Sequence, residues 1–230
     1  MKNGMIESTY TDEKSKQYYA WRASNYDAMA EWEEPFHAEA VHLANAQAGQ
    51  RVLVVACGTG RGMIELAQAV GATGRVDALD LSENMIEKAR ARAEKSGLTD
   101  RIHFKQGNAK ELPYPDRTFD IVYNGYMLDL IPLDSFDGIL KEMKRVLKPG
   151  GKLVLLNMSK PDDKKTFYES IYKWTGIPCR PVLMAPYLEK LGFKKVERRY
   201  RAVRPHNFYE RIVAGLWGQE IVLGHKGATS

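Results

Sequence analysis

The chain alternates short apolar runs with segments in which apolar residues recur every three or four positions. The clearest run is residues 52–60, VLVVACGTG, which has the pattern of a buried strand and ends in glycines. Residues 61–70 then have the spacing of an amphipathic helix, and residues 75–80 form a second strand that ends in Asp80. This alternation predicts an α/β fold with a doubly wound, mostly parallel sheet.

The same alternation continues towards the C-terminus. Ser82 is suited to begin a helix that ends at Gly97, and Asp134 to begin another that ends at the turn of residues 149–151. Further strands are predicted at residues 101–106, 118–124, 152–157, 193–203 and 211–223, and a short helix at residues 186–191. No internal repeat interrupts this order, so one domain is expected.

The glycine turn after the first strand is the candidate ligand site. Gly58 and Gly60 lack a Cβ, so the backbone can turn tightly and approach a ligand closely. Asp80 follows Gly60 by 20 residues, which is where a carboxylate holds the ribose of a nucleotide. A dinucleotide fingerprint would need glycine at Met63, so NAD is the weaker interpretation. The structural alternative is a plain tight turn.

Composition limits the class of protein. With 230 residues and 44% hydrophobic content, the chain can bury one sizeable core. The N-terminus carries charges where a signal peptide would be apolar, and no stretch is long and apolar enough to span a bilayer, so a cytoplasmic protein is expected. Two cysteines and five scattered histidines make a disulfide framework or a metal site improbable.

The positive charge is concentrated near the C-terminus. Residues 190–211 contain eight lysines and arginines against two glutamates, whereas the whole chain carries a net charge of +5. Such a segment can attract lipid headgroups, which makes peripheral membrane contact an option, or nucleic acid, or an acidic substrate. A solvated strand edge protected by charge is an equally good explanation.

Two stretches carry a resemblance to a known family. The glycines at positions 58, 60 and 62, with Met85 downstream, resemble motif I of the class I S-adenosylmethionine-dependent methyltransferases. The run 107–161, with LPYPDRTFD, RVLKPGG and SKP, is similar to the ubiquinone/menaquinone biosynthesis C-methyltransferases. The resemblance implies a Rossmann-like methyltransferase fold of seven strands, with an antiparallel last strand and helical lids.

The resemblance also implies a division of the single domain. The expected parts are an N-terminal helical lid over 1–47, a cofactor-binding core over 51–158, a substrate-cap insertion over 159–184, and C-terminal strands over 185–230. The insertion is too long and too aromatic for a plain loop, so we expect an amphipathic helix in it. That helix would cover the acceptor pocket, or form a dimer contact or a membrane-facing surface.

S-adenosylmethionine is the cofactor that the resemblance implies, with S-adenosylhomocysteine as the product and no metal. The implied cofactor-binding residues are Ala56, Gly58, Thr59, Gly60, Asp80, Leu81, Met85, Asn108, Ala109 and Asn124. Two positions depart from the family pattern, since Val54 replaces a usual acidic residue and Ala56 a common glycine. Losing a charged hydrogen-bonding group costs roughly 1.5–3 kcal/mol unless another group replaces it.

Methyl transfer from a sulfonium is an in-line displacement, so alignment matters most and a base is needed only for some acceptors. Asp129 is the first candidate for that base, with a helix cap or an exposed loop acid as the alternative. Tyr26 matches a recurring Tyr-Asp of the family's N-terminal lid, and Tyr10 resembles a tyrosine of phosphoethanolamine methyltransferases. Aromatic residues at a domain edge also simply cover apolar surface.

The sequence therefore predicts a methyltransferase that acts on a small molecule or a lipid-like acceptor. A nucleic-acid methyltransferase is an alternative because of the basic segment, but residues 124–127 lack the prolines of the Asn-Pro-Pro-Tyr motif and no RNA-binding module is visible, so no nucleic-acid partner is expected. A noncatalytic cofactor-binding protein is the other alternative, because of Val54. The acceptor, the methylated atom and the oligomeric state stay open.

Overall fold

A single seven-stranded sheet forms the centre of the computed structural model, which describes residues 4–11, 13–15, 17–18, 31–202 and 218–228. The strands are β1 Arg51–Val55, β2 Arg75–Asp80, β3 Ile102–Gln106, β4 Phe119–Gly125, β5 Leu147–Ser159, β6 Lys194–Ala202 and β7 Gly218–His225. Their order is β3-β2-β1-β4-β5-β7-β6. The last strand, β7, runs antiparallel to the other six, which confirms the predicted sheet.

Helices cover both faces of the sheet. They are α1 Glu34–Ala44, α2 Met63–Ala69, α3 Glu83–Lys95, α4 Phe136–Val146, α5 Phe167–Thr175 and α6 Ala185–Lys190. Alternate residues of β1 enter two core layers: Val52 and Val54 pack with α1, α2 and α3, whereas Leu53 and Val55 pack with α4 and α6. Burial on both faces explains why β1 is continuously apolar rather than alternating.

The end of α3 lies where the sequence predicts it, whereas the start of α4 differs from the prediction. After α3, Gly97 is left-handed with φ of 65°, and the amide of Leu98 donates to the carbonyl of Ala93, which is the Schellman pattern that a glycine favours. Asp134 was expected to cap α4, but it lies in a 3₁₀ turn over Leu133–Ser135 and Ser135 takes the N-cap position. The turn tightens the chain before the helix begins.

Strand β5 begins earlier than predicted. Leu147 already pairs with Phe119, and the register shifts before Lys152 pairs with Ile121. The Pro-Gly-Gly turn at residues 149–151 therefore lies within the strand as an irregularity rather than before it. At the C-terminus, the predicted strand 211–223 is found from Gly218 onward, and its earlier residues lie outside the described ranges.

The insertion after β5 contains the expected amphipathic helix, α5, and it is joined to the N-terminal segment. Lys160, fully buried, donates to both carboxylate oxygens of Glu169 at 2.8 and 2.9 Å and to the carbonyl of Gly4 at 2.7 Å. Arg180, also fully buried, donates to the carbonyl of Ile6 at 2.7 Å. Buried charges need such partners, so these contacts determine where both segments lie.

Candidate active site

One cavity lies at the carboxyl edge of the sheet, where β1, β2 and β4 end. Its walls come from the glycine loop, the end of β2, the segment after β3, the end of β4 and the first turns of α1. Ligands of open α/β sheets bind at this edge, because the loops that follow the parallel strands converge there. The sequence motifs of the glycine loop and of Asp80 therefore face the same space.

Asp80 organises the loop from the end of β2. One carboxylate oxygen accepts from the amide of Gly58 at 2.8 Å and the other from the amide of Ser82 at 2.9 Å. Burial raises the pKa of Asp80, and the amides of Ser82 and Gly58 act in the opposite direction. The carboxylate thus joins the glycine loop to the start of α3 and lines the cavity itself.

The glycines of the loop serve different purposes. Gly58 has φ of 54°, and a Cβ on it would meet no atom within 4 Å, because it faces open space. Gly60 has φ of 93°, and its Cβ would lie 2.9 Å from Cε of Met63. Gly60 therefore serves the packing of α2 and does not line the cavity, whereas Gly58 does. Ala56 also lines it and has φ of 53°, a strained value for alanine.

The structure brings most of the other predicted cofactor residues to this cavity. Thr59, Leu81, Met85, Asn108 and Ala109 all line it. Among these, Met85 is 2% exposed and Ala109 is 8% exposed, so both also belong to the core. Leu81, Met85 and Ala109 form an apolar wall beside the Asp80 carboxylate, and the side chains of Thr59 and Asn108 add polar groups to the lining.

Asn124 at the end of β4, like Gly60, is a predicted cofactor residue that does not line the cavity. It is fully buried, and its side-chain amide donates to the carbonyl of Val55 at 2.8 Å. The residue joins the ends of β1 and β4, so it supports the shape of the edge from beneath.

A histidine that the sequence analysis did not single out lies in the cavity wall. His37 of α1 is buried, and its Nδ1 lies 2.7 Å from the hydroxyl of Tyr123 on β4. Burial lowers the pKa of His37 to about 3, with Arg61 and Arg92 adding to the effect, so the imidazole is neutral near pH 7. It lines the same cavity as Asp80.

Two glycines make room for this histidine. A Cβ on Gly62 would lie 3.2 Å from the hydroxyl of Tyr123 and 3.3 Å from Nδ1 of His37, and one on Gly125 would lie 2.8 Å from Cε1 of His37. The third glycine of the loop motif is therefore explained by the imidazole and phenol that it faces. The sequence pattern that comes nearest to predicting His37 is its spacing from Glu33, because residues four positions apart lie on the same face of a helix.

Aromatic and charged side chains complete this end of the cavity. The ring of Tyr126 lies 5.4 Å from His37 and 6.1 Å from Trp32, both in edge-on arrangements. Glu33 and Arg61 also line the cavity, and Arg61 pairs with the nearby Glu34 at 2.6 Å. The cavity thus has an aromatic wall beside one acidic and one basic side chain.

Asp129 lies beneath the wall rather than in it. It is 2% exposed and does not line the cavity, whereas Leu130 beside it does. Burial raises the pKa of Asp129 to about 7, opposed by its own amide, by Arg180 and by the amide of Met158. Arg180 donates at 2.9 Å to the backbone carbonyl of Asp129, so the guanidinium and the carboxyl share one buried region.

Of the two tyrosine candidates, Tyr10 lies in the part of the chain that the structure describes. Tyr10 contacts the ring of Tyr18 edge-on at 5.7 Å and does not line the cavity. Tyr26 lies outside the described residues. Their roles, like that of Asp129, stay predictions.

The basic segment is largely neutralised where it is described. Arg198 pairs with the buried Glu220 at 2.6 Å, Arg199 with Glu197 at 2.7 Å, and Arg201 pairs at 2.8 Å with a glutamate of α1. Residues 203–211 of the segment lie outside the described ranges. Among the described residues, no group of three or more His, Cys, Asp or Glu could hold a metal ion.

The sheet order, the reversed β7, the glycine loop and Asp80 define the fold of a class I S-adenosylmethionine-dependent methyltransferase. Two solved structures share it: the [4+2]-cyclase SpnF, with a TM-score of 0.76 and 20% identity over 96% of this chain and 98% of that one; and a SAM-dependent methyltransferase from Aquifex aeolicus, with a TM-score of 0.64 and 22% identity over 90% and 97%. At these identities the likeness shows the fold alone.

The chain belongs to the ubiE/COQ5 methyltransferase family, which matches residues 8–194. Similar proteins include demethylmenaquinone methyltransferases from Symbiobacterium thermophilum, 36% identical over 82% of this chain and 73% of the relative, and from Bacillus licheniformis, 41% identical over 60% of each. A third, from Halalkalibacterium halodurans, is 46% identical over 51% and 46%. The matched part thus spans about half to three quarters of these relatives' length.

Proposed function

We propose that the protein transfers a methyl group from S-adenosylmethionine to a ring of a quinone-derived, lipid-like acceptor. The observation that carries the proposal is one cavity that runs from the Asp80 loop to the aromatic wall at Tyr126 and His37. The first end suits a nucleoside and the second suits a flat ring. The names of the relatives, demethylmenaquinone methyltransferases, support the same acceptor class.

The residues of the first end fit S-adenosylmethionine. Gly58 leaves open space next to its backbone, Asp80 supplies a carboxylate for ribose hydroxyls, and Met85 supplies an apolar surface for adenine. Asn108 in the lining offers a donor and an acceptor for the purine edge. When bound, the cofactor supplies the electrophilic methyl group, and these side chains hold and orient it.

Val54 lacks the carboxylate that the family usually has at this position, and we propose that Glu33 supplies it instead. Glu33 is buried, lines the cavity beside Val54, and is close enough to raise the pKa of Tyr123, the residue that pairs with Val54 across the sheet. Its carboxylate would receive the ammonium of the cofactor's methionine end. Arg61 in the same wall would face the cofactor's carboxylate.

At the second end, Tyr126, with Trp32 packed edge-on against it, would contact the acceptor ring, and His37 would accept a hydrogen bond from a ring hydroxyl. The low pKa keeps the imidazole of His37 neutral near pH 7, and with Nδ1–H donating to the hydroxyl of Tyr123 its Nε2 would be the acceptor. Removing water around the ring leaves alignment of carbon, methyl and sulfur as the main task. In this proposal Asp129 does not contact the acceptor. Together with Arg180, it holds residues 127–131 in place from beneath the wall.

Incubating the full chain with S-adenosylmethionine and a short-chain demethylmenaquinol, and measuring methylated product by mass spectrometry, tests the proposal. We expect one added methyl group on the ring and loss of turnover in Asp80→Asn. Asp77→Asn is the matched control, since Asp77 lies on the same strand, is also buried, and pairs with Arg51 and Arg75 away from the cavity. Binding of S-adenosylhomocysteine without turnover would favour the noncatalytic alternative.

A further inference from the structure

Helix α5 presents a small aromatic face to solvent. Phe167 is 67% exposed and Trp174 is 89% exposed, and their spacing of seven positions places both on one side of the helix. Ile171 between them and Ile177 after the helix are partly exposed. We call these four residues the aromatic face. Apolar side chains this exposed are unusual for a protein surface unless something covers them.

The opposite side of α5 is firmly held, so the aromatic face cannot turn inward without breaking buried contacts. Tyr168 donates to the carbonyl of Cys179 and Tyr172 to that of Pro178, both at 2.7 Å. Glu169 forms the capping box with Thr166 and also the buried pair with the Lys160 side chain. The exposed side is therefore a fixed feature of the fold.

Lysines surround the aromatic face. Lys164 and Lys165 lie just before the helix and Lys173 lies next to Trp174, and all three are exposed. Among the described residues, none of the three forms an ion pair, and Asp162 and Asp163 are the exposed acids of the same loop. Aromatic rings with lysines beside them are the combination that the headgroup region of an anionic membrane favours.

The aromatic face lies at the same edge of the sheet as the cavity. Helix α5 follows the carboxyl end of β5, and the hydroxyl of Tyr172 on its buried side lies 3.4 Å from that of Thr9. The neighbouring Ser8 donates to the carbonyl of Leu130 at 2.6 Å, and Leu130 lines the cavity. A short series of contacts thus links the helix to the cavity wall.

We propose that α5 is a membrane-docking helix, whose Phe167 and Trp174 enter the interface of an anionic lipid bilayer and bring the cavity to its acceptor. The choice of a lipid surface rests on the proposed function, because a lipid-like acceptor lies in a bilayer. None of the helices in the described ranges has the length and apolarity that a bilayer span requires, so surface contact is the route that they allow.

A second copy of the chain fits this surface less well. In a symmetric dimer the two copies together would bury four such aromatic side chains, about 600–1,000 Å² in total. A stable dimer buries more than about 1,000 Å². The aromatic face alone therefore falls short of a dimer interface, but it is sufficient for reversible attachment to lipid when lysines contribute.

Co-sedimentation of the full chain with phosphatidylcholine vesicles, with and without phosphatidylglycerol, tests the proposal. We expect binding that needs the anionic lipid and weakens with salt. The double variant Phe167→Ala/Trp174→Ala is expected to lose about tenfold or more in vesicle affinity. Since both side chains are exposed, its melting temperature and its affinity for S-adenosylhomocysteine should not change, which separates lost docking from lost folding.

A charge-reversal pair locates the contact. Lys164→Glu/Lys165→Glu should weaken binding to anionic vesicles several-fold, whereas Lys194→Glu/Lys195→Glu makes the same change in the basic segment and should leave it within twofold. Equal loss in both pairs, no vesicle binding by the native chain, or aromatic-face variants that bind normally would overturn the proposal. So would a change of oligomeric state in the variants, because it would indicate a protein interface.

Failure of the proposed function has a different signature. Vesicle binding without methylation of any quinol would contradict the proposed acceptor and leave the docking helix standing. Methylation of a soluble short-chain acceptor without vesicle binding would do the reverse.

Discussion

The two ends of the cavity are built differently. Most of the cofactor end comes from one continuous stretch, residues 52–85, in which a strand, a glycine turn and a second strand bring Asp80 next to Gly58. Asn108 and Ala109 add to it from the segment after β3. The acceptor end comes from α1, the end of β4 and residues 127–131, which are distant in sequence. Short-range backbone geometry thus builds most of the first end, whereas the second depends on tertiary packing.

The largest effect should come from the cofactor end. Asp80→Asn removes the charge that holds two loop amides and would hold the ribose, so we expect about 100-fold weaker binding of S-adenosylhomocysteine by calorimetry, roughly 1.5–3 kcal/mol. Asp77→Asn should stay within about threefold. Equal losses in both variants would show that a buried carboxylate in β2 matters for the fold alone.

The buried carboxyl of Asp129 lies beneath the acceptor end. The pH dependence of the free energy of unfolding tests its role there. Its pKa is raised from 3.8 to about 7 in the folded chain, so between these values the folded state holds the proton more tightly than the unfolded state does. The stabilisation is complete below about pH 4 and is lost as pH rises through about 7.

Asn cannot ionise, so Asp129→Asn should remove this loss and raise the free energy of unfolding at pH 8 by about 2 kcal/mol relative to the native chain. Chemical denaturation at pH 5 and pH 8 measures it. Asp134→Asn, an exposed acid nearby, is the control and should show no such difference. A parallel pH dependence in the native chain and in Asp129→Asn would contradict the raised pKa.

The division into two ends predicts separable kinetics. Trp32→Ala removes a ring that lies 6.1 Å from Tyr126, so KM for a soluble quinol should rise about tenfold while affinity for S-adenosylhomocysteine stays unchanged. Trp174→Ala is the control, because that ring faces solvent on α5, away from the cavity wall. Loss of cofactor affinity in Trp32→Ala would mean that the two ends are one binding unit.

What the sequence predicted follows the same division. The alternation of strands and helices, the glycine loop, Asp80 and the apolar surface at Met85 could be predicted from the sequence, because strand periodicity and turn glycines act within about 30 residues. His37 was missed because its role depends on the 2.7 Å contact with Tyr123, which is 86 residues away. Asp129 lies in the segment after β4, as the sequence indicates. The direction of its side chain, however, is determined by packing near Arg180.

Val54 is a further example. In the sequence, its apolar side chain indicated a missing acidic residue, and the fold shows that Glu33, just before α1, lies in the same cavity wall. When a residue distant in sequence supplies a missing group, a single sequence contains no local pattern that reveals it. The helix α5 was predictable from its spacing, but the exposure of its aromatic side was not.

The smallest expected effect concerns the loop backbone. Ala56 has φ of 53°, which glycine adopts at no steric cost, so Ala56→Gly should raise the free energy of unfolding by less than about 1 kcal/mol. Thermal melting measures it, with Ala46→Gly, in the turn after α1, as the reference for the entropic cost of a glycine. A clear loss of stability in Ala56→Gly relative to that reference would argue against strain in the loop.

The most direct test of the account is to follow a deuterated methyl group from S-adenosylmethionine into a demethylated quinol by mass spectrometry, with the native chain and His37→Ala compared. The account predicts a labelled methyl on the ring carbon with the native chain and a strongly reduced yield with His37→Ala at unchanged cofactor affinity. No label in any quinol, although S-adenosylhomocysteine binds, would contradict it.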